Sequence, residues 1–144
     1  MSVFHSSSIL LVEDNLLDVR LTVELLREAK LANRLKVISD GSEAITSLTA
    51  ALASGEALPD LVLLDLDLPG AGGRQVLETI RGTPGLGHLA VFILTSSPTQ
   101  RDIVQDEKLR ANGYLEKPID LSEFIRVVTA QERFWLELVS APLR

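Results

Sequence analysis

Short unbroken apolar runs alternate along the chain with longer stretches in which apolar residues recur every three or four positions. Ile9-Leu10-Leu11-Val12 is the first run, as expected of a strand covered on both faces. Leu17, Leu21, Leu25 and Ala29 follow at intervals of four, with Leu26 widening the stripe, and predict a helix. Leu35 to Ile38 reads as a second strand, and Ser39-Asp40-Gly41 as its turn. Ala44, Ile45, Leu48 and Leu52 form a second helical stripe that Gly55 and Pro59 close. Leu61 to Leu64 is a third buried strand, and Val76, Leu77 and Ile80 mark a third helix. Leu89 to Leu94 gives a fourth strand, followed by a polar helix from about Thr99 to Arg110. A short fifth strand runs through Tyr114 and Leu115, and a long last helix starts near Asp120.

Five β–α units in succession predict an α/β fold, a parallel sheet with helices on both faces, because each crossover is right-handed. With 144 residues the chain is expected to be a single domain, 1–144, and no repeat, linker or low-complexity segment divides it. Hydrophobic residues make up 46%, enough for a full core, and the formal net charge is −6. That charge, with no cluster of Lys and Arg, argues against a nucleic-acid partner. The apolar runs are too short for a signal peptide or a membrane span. The absence of Cys removes disulfides and thiolate metal sites from consideration. The expected location is cytoplasmic.

In open α/β sheets ligands sit outside the carboxyl ends of the strands. Here the first strand ends in Glu13-Asp14, the third in Asp65, the fourth in Thr95-Ser96 and the fifth in Lys117-Pro118. Singly, each has an ordinary explanation: Asp14, or better Asn15 or Asp18, would cap the next helix, and Thr95 and Lys117 would be a capping hydroxyl and a solvated cation. Capping does not explain why three acids meet a lysine on one rim. Clustered carboxylates repel one another, and a hard cation such as Mg²⁺ or Mn²⁺ relieves the repulsion through oxygen ligands. A carboxylate is also a competent nucleophile toward a phosphoryl group, and that transfer needs mainly positioning and neutralised oxygens. The metal, Lys117 and Thr95 would each take one oxygen.

These residues carry a resemblance. Leu-Val-Glu-Asp at 11–14, Leu-Asp-Leu-Asp-Leu-Pro at 64–69, Leu-Thr-Ser at 94–96 and Glu-Lys-Pro at 116–118 resemble the response-regulator receiver family, over about residues 8–130. The resemblance implies a flavodoxin-like (βα)5 sheet with strand order 2-1-3-4-5. It makes Asp65 the phosphoacceptor and Glu13 and Asp14 metal ligands, directly or through water, joined by Asp65 itself and the backbone carbonyl of Asp67. It makes Thr95 the switch hydroxyl, Lys117 the phosphate-binding cation and Tyr114 a rotating aromatic that reports the phosphorylated state. It suggests a cis bond at Lys117-Pro118, and it assigns the tuning of phosphate lifetime to Asp67 and Ser97. Its partner would be a sensor histidine kinase, and such a chain is a switch, not an enzyme with turnover. Where the family often has an Asp before the glycine of the following loop, this chain has Gly72 before Gly73, and Gly70, Gly72 and Gly73 together predict a loose loop.

Two alternatives compete. Asp65-Leu66-Asp67 also resembles the Asp-x-Asp of haloacid-dehalogenase-type phosphatases, but that pair belongs on a first strand and Pro69 stands where Thr or Val is expected. A receiver fold kept only for protein interaction is the other, although every chemical position is filled.

Leu121, Phe124, Ile125 and Val128 would pack the last helix on the sheet; the stripe then passes through polar residues and resumes with Phe134, Trp135, Leu138 and Val139. A helix from Leu121 to Val139 is roughly 28 Å long, against roughly 17–20 Å for a strand. Its end, in a C-terminal extension over about 131–144, is therefore expected to overhang and build a homodimer through Phe134, Trp135 and Leu138. Folding back onto its own domain is the competing expectation. Asn112 to Pro118 with Phe134 to Glu137 is similar to the small regulators that partner phytochrome histidine kinases, which implies a bacterial phytochrome as phosphodonor. A chemotaxis-type or phosphorelay-intermediate regulator is the alternative.

Overall fold

The computed structural model describes residues 7–28, 33–68, 72–96 and 110–129. Five strands, β1 (Ser7–Val12), β2 (Asn33–Ile38), β3 (Leu61–Asp65), β4 (Val91–Thr95) and β5 (Gly113–Glu116), form one sheet in the order β2-β1-β3-β4-β5. All four pairings are parallel, with Leu11 beside Val37 and Leu63, Leu63 beside Phe92, and Phe92 beside Gly113. The order is the expected one. The helices among the described residues are α1 (Leu16–Glu28), α2 (Gly41–Ser54), α3 (Gly72–Gly82) and α4 (Leu121–Thr129). None is long and apolar enough to cross a membrane.

Strand alternation divides the core into two layers. Leu10, Val12, Val62, Leu64, Val91 and Ile93 point to one face, where they meet Ala44 and Leu48 of α2 and Val76, Leu77 and Ile80 of α3. Ile9, Leu11, Leu61, Leu63, Phe92 and Leu94 point to the other, against Leu26 of α1 and Phe124 of α4. Every residue of β3 and β4 is buried, which is why both read as unbroken apolar runs. Burying each apolar side chain of these strands contributes roughly 1.5–3 kcal/mol, and this holds rigid the strand ends that carry the polar groups.

Helix boundaries follow local chemistry. Asn15 Oδ1 accepts the Asp18 N–H at 3.0 Å, so Asn15 caps α1. Asp40 caps α2 through the Glu43 N–H, and Gly55 at φ 77° ends it. Asp120 Oδ2 does the same for α4 through the Glu123 N–H.

Two expectations need correction. The buried face of α1 is not the Leu17–Leu21–Leu25 stripe: Leu17 is 64% and Leu21 46% exposed, while Thr22 and Leu26 are buried and Val19 and Leu25 pack partly. β4 begins at Val91, because Leu89 still belongs to the preceding turn, its N–H bonded to the Leu86 carbonyl. Arg110, the last residue of the expected fourth helix, has a left-handed φ of 45°. The rest of that helix, from Thr99, lies outside the described residues, as do Ser97 and the extension bearing Phe134, Trp135 and Leu138.

Candidate functional site at the strand ends

Parallel pairing brings the polar residues together. Lys117 N–H donates to the Thr95 carbonyl (2.8 Å), Leu66 N–H to the Leu94 carbonyl (2.9 Å) and Glu13 N–H to the Ile38 carbonyl (3.1 Å). The residues after β1, β3 and β5 therefore stay in the lattice of the sheet although they lie at or past its edge. The bond between Lys117 and Pro118 is cis.

At the centre is the Lys117 ammonium. Its Nζ is 2.9 Å from Glu13 Oε1, 3.0 Å from Asp18 Oδ2 and 3.1 Å from Asp65 Oδ1. An ammonium has three N–H donors, and three carboxylates surround it. Glu13, Asp65 and Thr95 are buried, and only 11% of the lysine side chain is exposed. Asp65 Oδ1 also accepts the Asp67 N–H at 3.1 Å, and Glu13 Oε2 the Asn15 N–H at 3.2 Å.

Electrostatics reflects crowding. Burial, first, and a side-chain hydrogen bond with Asp65, second, push the Glu13 carboxyl up to about 7, against the pull of Lys117 and the Asn15 N–H. Burial disfavours the Lys117 charge, but Glu13, Asp18 and Asp65 outweigh it and hold its pKa above the usual lysine value. Carboxylate oxygens of Glu13, Asp14 and Asp65 lie within 4.8 Å of one another, with Asp14 on the solvent side. A set made only of carboxylate oxygens, crowded within 4.8 Å, fits a small hard divalent cation.

Asp67 has an exposed side chain whose Oδ2 lies 3.5 Å from Ser96 Oγ. Tyr114 is half-buried against the layer under α2 and α3, with Ile93 as its strand neighbour. The glycines after β3 are not simply a loose loop. Gly72 (φ 73°) and Gly73 open α3; Gly73 is buried, and a Cβ there would collide with the Asp65 carbonyl oxygen and lie 2.7 Å from Leu66 Cα. Only a residue without a side chain lets α3 close on the Asp65 backbone. Gly70 lies outside the described residues.

Asp18 is the site member that sequence reasoning missed, having considered it only as a cap. With Asn15 taking the cap, the Asp18 carboxylate is free to turn toward Lys117. Its place one helical turn beyond Asp14 was the only signal in the chain, and a weak one.

Comparison with known proteins agrees with this architecture. The chain is 38% identical to response regulator Rcp1 of Synechocystis sp. over 138 residues, 93% of this chain and 92% of that protein. The Mn²⁺-bound structure of Rcp1 superposes with a TM-score of 0.69 at 35% identity, covering 95% of this chain and 99% of that one. The bacteriophytochrome response regulator AtBRR gives a TM-score of 0.84 at 35% identity, covering 96% of this chain and all (100%) of that one. The phosphorylated cyanobacterial phytochrome response regulator RcpA gives 0.71 at 36% identity, covering 91% and 94%. Residues 9–129 match the family described as the response regulator receiver domain, and with the five-stranded sheet and its acidic rim they make this chain a member of that family.

Proposed function

We propose that the chain is a phospho-accepting switch in which Asp65 takes a phosphoryl group from the phosphohistidine of a sensor histidine kinase. One observation carries the reading: a buried carboxylate at the end of the central strand, 3.1 Å from a lysine ammonium and beside two further acids. An Asp65 carboxylate oxygen forms the new bond to phosphorus. The P–N bond of the donor breaks, and its electron pair leaves on the imidazole nitrogen. Glu13, Asp14, Asp65 and the Asp67 carbonyl would hold Mg²⁺ or Mn²⁺, which supplies positive charge to the transferring oxygens. Lys117 meets one phosphoryl oxygen, and the Thr95 hydroxyl, at the end of β4, meets another. Drawing Thr95 inward moves the end of β4, and Tyr114 on the neighbouring strand follows; the phosphoryl group favours one of two existing arrangements.

The likeness to Rcp1, AtBRR and RcpA supports a phytochrome-type kinase as donor. Leu16, Leu17 and Leu21 of α1 stand exposed shortly after Asp14 and offer an apolar surface to a donor docking beside Asp65. The reading includes a cytoplasmic location and a homodimer through Phe134, Trp135 and Leu138. Phosphotransfer from an autophosphorylated phytochrome kinase tests the whole reading: label moves to this chain within the mixing time for a cognate pair and stays on the kinase otherwise. Light scattering tests the dimer, which a monomer mass would refute.

A further inference from the structure

Of the three carboxylates around Lys117, that of Asp18 has no part in the transfer just described. Asp18 is nevertheless held with some care. Its N–H is fixed by Asn15 Oδ1 at 3.0 Å, and its carbonyl accepts the hydroxyl of buried Thr22 at 2.9 Å. With the backbone pinned on both sides, the carboxylate reaches across from α1 to the lysine at 3.0 Å. The contact is not an ordinary surface pair, since 27% of the Asp18 side chain and 11% of the Lys117 side chain are exposed.

A lysine ammonium is a point charge on a flexible four-carbon stem. Glu13 restrains it from β1 and Asp18 restrains it from α1. With two donors so occupied, the third N–H faces Asp65. We infer that Asp18 is a positioning residue for phosphoryl transfer: it holds Lys117 so that one N–H stays directed at Asp65 and then at the phosphoryl oxygen bound there. The inference rests on the phosphoacceptor reading.

Labelling with radioactive acetyl phosphate and Mg²⁺ separates the two. In that reaction the Asp65 oxygen–phosphorus bond forms, the phosphorus–oxygen bond to acetate breaks, and acetate leaves with the electron pair. Asp18→Asn keeps the side-chain shape and removes the charge. Its labelling is expected to slow by up to about a hundredfold, the scale of a group misplaced by about 1 Å, with the melting temperature unchanged. Asp18→Glu is expected to recover most of the rate. Side-chain NMR of the Lys117 Cε methylene is expected to show a looser lysine in Asp18→Asn and a restored one in Asp18→Glu. Wild-type labelling of Asp18→Asn, a faster rate, or slowing that only tracks loss of folded protein would overturn the inference and leave Asp65 as acceptor. A wild-type chain that takes no label would overturn the phosphoacceptor reading and this inference with it.

Discussion

Lys117 and Glu13 lie 104 positions apart in the chain, and their ammonium and carboxylate meet at 2.9 Å beside Asp65. The lysine thereby gives the acidic rim an internal cation. One ammonium does not neutralise Glu13, Asp18 and Asp65 together, and Glu13, the most buried of these acids, retains its proton up to about pH 7.

Mg²⁺ binding should therefore depend on pH. The cation needs ionised oxygens, so below about pH 7 it must displace the Glu13 proton. Apparent affinity rises with pH and levels off above that point. Calorimetric titration across this range checks it, and Glu13→Gln should flatten the dependence.

Stability without metal should run the other way. The folded Glu13 value of about 7 lies above its ordinary 4.5, so the folded state holds the extra proton between them. This contribution is fully present below the unfolded value and is lost as pH rises through the folded one. Urea unfolding of the chelated protein is expected to show a fall in stability toward pH 8 that Glu13→Gln lacks.

Gly73→Ala should destabilise the fold by about 1–3 kcal/mol, because the new methyl meets backbone at Asp65 and Leu66 rather than a movable side chain. Gly82→Ala is the control. Nothing lies within 4 Å of a Cβ there, and the change should be neutral or stabilising in denaturant titration.

Leu17→Ser and Leu21→Ser should leave stability within about 0.5 kcal/mol of wild type, since both side chains are exposed. The same variants should accept phosphate from acetyl phosphate normally and from a histidine kinase slowly. Equal rates from the kinase would remove α1 from the donor surface.

The strands were legible in the sequence because their cover on both faces leaves unbroken apolar runs such as Leu61 to Leu64. The rim was legible because chemistry collects at strand ends, and Glu13, Asp14, Asp65, Thr95 and Lys117 all stand there. The orientation of α1 was not. Leucine occupies positions 16, 17, 21, 25 and 26, so apolar periodicity favours no single face, and the buried one runs through a threonine, Thr22. Asp18 was hidden because its partner is 99 residues away and its spacing from Asp14 is only a weak local signal. Gly73 looked like flexibility because a sequence does not reveal which backbone will press against it.

The most direct measurement compares wild type with Asp65→Asn for uptake of radioactive phosphoryl from acetyl phosphate in the presence of Mg²⁺, with circular dichroism confirming that both are folded. Asn keeps the size of the side chain but is not a carboxylate nucleophile. The wild type should take label and Asp65→Asn should take none. Label on folded Asp65→Asn at the wild-type level would contradict the assignment of Asp65 and move the acceptor to another residue.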